Sequence, residues 1–328
     1  MQDSSAASLR LCVCLGIYVK LCNHFSAAFL AQTAFLMTAL QQQSIALIAN
    51  NLVDLLRSCG PVAVAYSGGV DSAVVAKAAM EAWGNQAVAV TAVSPSLAAS
   101  ELTTARDEAL RIGIRHIEVS TDEFARPEYR RNAGDRCFYC KDTLYSLTQS
   151  KLSELQVSCI VNGANLDDLG DHRPGMRAAA EHSVRSPLIE LAVDKTTVRA
   201  LAHFWNLSVA EKPAAPCLAS RVAYGVEVTE ERVARIEHAE AAVRELTGIT
   251  ELRVRCEANE LARIEVPLQA LDQLLVPSIR DALITRLREL GFRAVTLDME
   301  GFRSGNLNSS LPLVQLNVKN PTTLPASP

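Results

Sequence analysis

Four short apolar runs separated by helical stretches restrict the fold of this chain more than any other feature. Residues 62–66 (VAVAY), 87–93 (AVAVTAV), 114–119 and 157–162 (VSCIVN) have the length and composition of buried strands. Between them, 72–83, 98–112 and about 134–155 read as helices, with Leu102, Ala105, Ala109 and Ile112 on one face of the second. Such strands alternating with helices predict a parallel sheet covered on both faces. Right-handed crossovers then give an α/β, doubly wound domain with ligands at the carboxyl ends of the strands. A helix at 194–205 closes this half.

The pattern changes after about Gly225. Thr229, followed by Glu230 and Glu231, starts a long helix to Leu246, and Thr247-Gly248 ends it. Residues 251–256 and 261–266 read as strands, 267–275 and 278–290 as helices, and 294–298 as a last strand. The expected organisation is a doubly wound domain over 37–225 and a smaller α+β domain over 226–308. Residues 309–328 are proline-rich, lack a period and read as a loose tail. The apolar run at 11–19 is broken by Lys20, is too short to span a membrane and lacks the flanks of a signal peptide. Residues 1–36 therefore read as an extension, or a mis-assigned start, ahead of an amphipathic helix that begins at Met37.

Composition narrows the function classes. The net charge is −4, from 32 basic and 36 acidic residues, which argues against a protein that wraps nucleic acid. Apolar residues make up 49% of the 328, enough to exclude disorder over most of the chain. Nine cysteines without disulfide spacing point to a reducing, cytoplasmic setting with a few working thiols.

Three constellations carry chemistry. Where the first strand turns into a helix stands Ser67-Gly68-Gly69-Val70-Asp71-Ser72. Glycines there let the backbone approach an anion. Successive N–H groups, the hydroxyls of Ser67 and Ser72 and the helix N-terminus form a phosphate nest. The loop lacks the Gly-Lys-Ser/Thr ending of a Walker A loop and is not GxGxxG. A turn that binds nothing is the plainer reading, and the strand–loop–helix context argues against it. At the carboxyl end of the fourth strand, on the same edge, lies NGANLDDLG (162–170), then Arg173-Pro174-Gly175. Gly163 and Asp168 there suit a nucleotide or Mg²⁺, and an Asp-rich turn suits them equally. The third constellation is cysteine: Cys137 and Cys140 in RCFYCK (136–141), and Cys217 in KPAAPCLASR (212–221). The lone CxxC fits a redox pair, half a metal site or small fillers, and without a second CxxC zinc is poorly supported. Cys217 lies in a proline-bounded loop with Lys212 before it and Ser220 and Arg221 after it, and cationic neighbours favour the thiolate. Cys12, Cys14, Cys22, Cys59, Cys159 and Cys256 read as inert fillers. Arg253 and Arg255, two apart on a strand, share a face that suits a phosphate or plain solvent.

SGGVDS resembles the pyrophosphate loop (PP-loop) of the HUP-like ATP pyrophosphatases, which cleave ATP between the α- and β-phosphates with Mg²⁺. Add RCFYCK, NGANLDDLGDHRPG, SPLIEL (186–191), KPAAPCLASRVAYG and the closing Gly301-Phe302-Arg303-Ser304-Gly305. The chain from about 40 to 308 is then similar to the LarE family, the ATP-dependent sulfur transferases of nickel-pincer nucleotide synthesis. The resemblance implies ATP and pyrophosphate at Ser67, Gly68, Gly69, Val70, Asp71, Ser72, Gly163 and Asp168, with Asp71 also catalytic. It implies a pyridinium dicarboxylate mononucleotide as substrate, its phosphate at Ser220, Arg221, Arg253 and Arg255. It implies Cys217 as nucleophile. Two sulfur sources stay open: Cys217 itself, leaving dehydroalanine, or a [4Fe-4S] cluster on Cys137, Cys140 and Cys217 with sulfide on its open iron. Glu240 and Asp272 match acidic positions of the family and otherwise read as surface helix carboxylates. A homo-oligomer, a hexamer in the family, is expected, with no nucleic-acid or membrane partner. A tRNA-thiolating enzyme, NAD synthetase or GMP synthase, and a nucleotide-binding regulatory module without turnover are the competing readings. The acidic charge opposes the first, Cys217 the amidating pair, and Asp71 with a reactive thiol the last.

Overall fold

In a computed structural model the described residues are 42–170 and 174–303. The expectations for 1–36, Arg173, Ser304, Gly305 and the 309–328 tail lie outside them. The chain divides into two compact units, Met1–Asn51 and Leu52–Pro328. A helix (α1) runs over 42–58; all that follows concerns the second unit.

The strands are β1 (Val62–Ala65), β2 (Val88–Val93), β3 (Arg115–Ser120) and β4 (Cys159–Val161), all parallel, in the order β3-β2-β1-β4. Because β1 has β2 on one side and β4 on the other, the crossovers leave it in opposite directions. That places a crevice at the carboxyl ends of β1 and β4, the switch point at which doubly wound sheets bind ligands. Val62, Ala63 and Val64 are all fully buried, so helices cover both faces. The principal helices of this half are α2 (Val70–Trp83), α3 (Ala99–Ile112), α4 (Arg136–Ser150), α5 (Pro174–Glu181) and α6 (Lys195–Phe204). On one face Ala63, Ala65, Val88 and Val90 pack with Phe138, Leu144 and Tyr145 of α4 and Ala178 and Ala179 of α5. The single helix expected over 134–155 is two, Arg136–Ser150 and Leu152–Leu155, the second closed by Gln156 in left-handed geometry.

The second sheet joins β5 (Arg253–Glu257) antiparallel to β6 (Leu261–Glu265), and β6 parallel to β7 (Ala294–Leu297). Thr229 caps α7 (Glu230–Thr247) by accepting the Arg232 N–H, and Gly248 at φ +73° ends it. Val233, Ile236, Ala239 and Val243 of α7 share a core with Val254, Ala262 and Ile264 of the sheet and Leu283 and Leu287 of α8 (Pro277–Glu289). This core also takes in Leu218, Ala219 and Val222, the residues that follow Cys217. Leu218 alone, 2% exposed, contributes about 1.5–3 kcal/mol by burial. The cysteine loop is thus fastened to the second core. No helix among the described residues is long and apolar enough to cross a membrane.

Candidate active site

The phosphate loop forms where β1 gives way to α2. Gly68 has φ +70°, and a Cβ there would lie 2.8 Å from the Ala105 Cα, so both conformation and space require glycine. Ser72 Oγ donates to the Gly69 carbonyl at 3.0 Å and accepts the Ser67 N–H at 3.2 Å. Ser67 Oγ lies 3.3 Å from Ser72 Oγ and accepts the Gly69 N–H at 3.4 Å. No side chain caps α2 at Gly69. The first N–H groups and the positive end of the helix therefore face the loop, which is what an anion needs.

The second motif abuts the first. A Cβ on Gly163 would sit 2.7 Å from the Ser72 nitrogen, so only glycine fits there. The Asp71 carboxylate receives Lys195 Nζ at 2.8 and 2.6 Å and Asn165 Nδ2 at 3.0 Å. Asp168 Oδ2 accepts the Asn165 N–H at 3.0 Å, and Asp167 Oδ2 accepts the Lys195 N–H at 2.9 Å. The structure thus joins Asp71, Gly163 and Asp168, as expected, and adds Asn165 and Lys195. The Asp71 carboxylate has the hard oxygen donors that suit Mg²⁺, and here both oxygens are bonded to Lys195. A cavity of about 520 Å³ opens here, lined by Ser67, Asp71, Ser72, Gly163 and Asp168 and also by Cys137, Lys141, Pro216 and Tyr224.

Cys137 and Cys140 stand one turn apart at the start of α4; Cys217 is exposed at the head of the short turn Leu218–Arg221. The three thiols are within electrostatic reach of one another. Burial pushes the Cys140 thiol up to about 12, with the buried Glu123 adding to it. Desolvation by the surrounding protein raises Cys137 too, although the residue is exposed at the cavity, against the pull of Arg136. Burial opposes the charge on Lys141, yet Tyr145 and the three thiols outweigh it and raise its pKa. The cations that act on the Cys137 and Cys140 thiols are thus Arg136 and Lys141. Lys212 is bonded to Glu101 at 2.7 Å and donates to the Gly68 carbonyl at 3.4 Å. Among the described residues no three His, Cys, Asp or Glu side chains converge tightly enough for a single metal ion. Three thiols in mutual reach with cations beside them do have the donor chemistry of an iron–sulfur cluster with one open corner.

Arginines hold the Cys217 loop. Arg221 Nη1 donates to the carbonyls of Pro216 and Cys217, the latter at 3.0 Å, and to Ser220 Oγ at 3.1 Å. Its Nε donates to Glu240 Oε1 at 3.0 Å. Arg255 Nη1 donates to the Ser220 carbonyl at 2.9 Å, while Nε and Nη2 grip Glu265 at 3.0 and 2.9 Å. Two expectations change. Glu240 is buried inside α7's apolar stripe rather than on its surface. Arg255 is buried and its fork is taken by Glu265 and Ser220, so it holds the loop rather than a phosphate. Arg253 differs: it makes no ion pair among the described residues, lies 5.1 Å over the Phe302 ring, and is pulled down to about 10 by burial and Arg221. It lines a second cavity of about 490 Å³ with Arg221, Arg244 and Glu240, and Pro216 borders both cavities. Asp272 is exposed in the short helix Leu271–Leu275 and lines neither cavity.

A family model described as asparagine synthase matches residues 46–139, which contain the phosphate loop. An uncharacterized protein of Synechocystis sp. is 45% identical over 248 residues, 76% of this chain and 92% of that protein. The pyridinium-3,5-bisthiocarboxylic acid mononucleotide synthase of Lactiplantibacillus plantarum is 35% identical over 266 residues, 81% of this chain and 95% of the synthase. An uncharacterized protein of Methanocaldococcus jannaschii is 25% identical over 257 residues, 78% of this chain and 96% of that protein. With the phosphate loop inside the matched family model and the synthase 35% identical over 95% of its length, the chain belongs to the LarE-like family of PP-loop ATP pyrophosphatases.

Proposed function

We propose that this protein is an ATP-dependent sulfur transferase that turns a carboxylate of a pyridinium dicarboxylate mononucleotide into a thiocarboxylate in nickel-pincer nucleotide synthesis. One observation carries the reading: the phosphate loop and Cys137 line one cavity, which Pro216 of the Cys217 loop also borders. In the first step a substrate carboxylate oxygen attacks the α-phosphorus of ATP. The bond to the bridging oxygen breaks and pyrophosphate leaves into the Ser67–Ser72 nest, whose N–H groups meet the developing charge. Mg²⁺ at Asp71 would supply further charge neutralisation. In the second step the Cys217 thiolate attacks the acyl carbon, AMP leaves, and a thioester forms.

With Cys217 as donor, loss of its α-proton and cleavage of its Cβ–Sγ bond release the thiocarboxylate and leave dehydroalanine. Alternatively Cys137, Cys140 and Cys217 would hold a [4Fe-4S] cluster, which when bound would supply sulfide in place of the side-chain sulfur. In this reading the doubly wound half, 37–225, takes ATP, and the 226–308 half brings Arg253 to the substrate phosphate beside Arg221 and Ser220.

Protein prepared without oxygen and given ATP, Mg²⁺ and the dicarboxylate mononucleotide should release pyrophosphate and form thiocarboxylate. A loss of about 34 Da, the mass of H₂S, from the intact chain marks Cys217 as donor; bound iron with unchanged mass marks the cluster. The Cys217→Ala variant should lose sulfur transfer. Absence of pyrophosphate release overturns the reading.

A further inference from the structure

The backbone around Cys217 is held by a buried chain of charged side chains. Arg221 grips the carbonyls on either side of the Pro216–Cys217 bond and rests on Glu240. Glu240 is sealed, its side chain 4% exposed; Oε1 serves Arg221 and the Val254 N–H, at 3.0 and 3.3 Å. Its other oxygen accepts from Arg244 at 3.2 Å, and Arg244 is 42% exposed on the wall of the second cavity. One buried carboxylate therefore links an arginine in an open cavity to the arginine that holds the nucleophile's backbone. The same cavity carries Arg253, whose nearest polar partners are the carbonyls of Leu252 at 2.7 Å and Ala214 at 3.3 Å. The cavity's charges balance overall, with Lys212, Arg221, Arg244 and Arg253 against Glu101, Glu237, Glu240 and Glu251, but Lys212 is bonded to Glu101, which leaves the guanidinium groups of Arg244 and Arg253 beside Glu240 as the place for an anion.

We propose that Glu240 is a positioning residue that couples the second cavity to Cys217: an anion of the phosphate class bound between Arg244 and Arg253 draws Arg244 off Glu240, and the freed carboxylate tightens on Arg221 and resets the Cys217 loop. In a site of low dielectric, a carboxylate shared by two cations binds one more strongly when the other leaves. The thiol is then presented according to whether the phosphate end of a substrate is in place. By linkage, a change made at Cys217 alters anion affinity by the same factor. The proposal rests on Cys217 being the reacting or sulfur-binding thiol of the proposed function, but its test reads neither ATP cleavage nor sulfur transfer.

The test is the rate at which iodoacetamide alkylates Cys217 in the full-length protein, followed by peptide mass spectrometry without ATP. Inorganic phosphate is compared with chloride at equal ionic strength. In the wild type, phosphate should change the rate by about fivefold or more, the lower end of typical coupling between sites. Arg244→Ala leaves the Glu240–Arg221 pair in place and removes the link, so the phosphate response should vanish. Glu240→Gln keeps an oxygen for Arg221 but loses the charge, and the response should vanish there too. A response of wild-type size in Arg244→Ala, or none in the wild type, overturns the coupling. Pyrophosphate release in the same preparations reports on the proposed function separately.

Discussion

The phosphate loop itself is tied by bonds between near neighbours, whereas the cysteine loop hangs on partners far apart in sequence. Within Ser67–Ser72 every bond spans five residues or fewer. Arg221 reaches Glu240 19 residues away, and Arg255 reaches back 35 residues to the Ser220 carbonyl. Backbone, serine hydroxyls and glycine shape the phosphate loop; buried ion pairs shape the cysteine loop. The first should therefore fail by losing catalysis while the fold survives, and the second by losing stability as well.

The largest effect should come from Glu265→Gln. Glu265 is fully buried and serves Arg255 and Arg263 together. Removing its charge leaves the buried Arg255 without its carboxylate partner, while Arg263 keeps Glu257 and Asp298; breaking a buried pair in this way costs about 3–5 kcal/mol. A urea unfolding curve measures it. A loss of only a few tenths of a kcal/mol would mean that the small sheet, and the Cys217 loop with it, stands without this network.

Next comes Gly163→Ala. The new methyl would meet backbone atoms of Asp71 and Ser72, which cannot swing aside as a side chain can. The two loops must part, and a displacement of that order lowers pyrophosphate release by about 100-fold, or about 2.7 kcal/mol. The urea midpoint should move far less than in Glu265→Gln. Equal damage to stability would erase the contrast between the two regions.

The same contrast explains what the sequence discloses. Strand–loop–helix order and two glycines mark the phosphate loop because its bonds are local. Lys195, 124 residues from Asp71, carries no local mark; only the fold delivers it. Glu240 had a mark that its charged neighbours hid. It lies four residues after Ile236 and three before Val243, within the buried stripe of α7. Alternation along β5 correctly puts Arg253 and Arg255 on one face. That Arg255 is consumed by Glu265 depends on the pairing of β5 with β6, which no single strand reveals. The Cys137–Cys140 spacing was legible as a pair, but its approach to Cys217 follows from packing the Leu218–Val222 segment into the second core.

The smallest expected effect tests a network that belongs to neither region. Asp142, on the cysteine helix α4, accepts from His182 at 2.8 Å and Arg126 at 2.6 Å and is 22% exposed. The hydrogen bond from His182, then that from Arg126, hold its carboxyl below the usual range. A carboxylate depressed in the folded state stabilises the fold above its unfolded pKa, and that share is lost as pH falls through the folded value. Asp142→Asn should therefore cost about 1 kcal/mol at pH 7, a modest figure because solvent screens part of the site. The gap to wild type should close as pH drops below about 4, where the unfolded carboxyl takes up its proton. Urea midpoints of both proteins at neutral and acid pH decide this. A gap that widens in acid would show that the aspartate opposes the fold. A gap as large as that of Glu265→Gln would show that charge pairs on α4 matter as much at its surface as in the sealed core beneath Cys217.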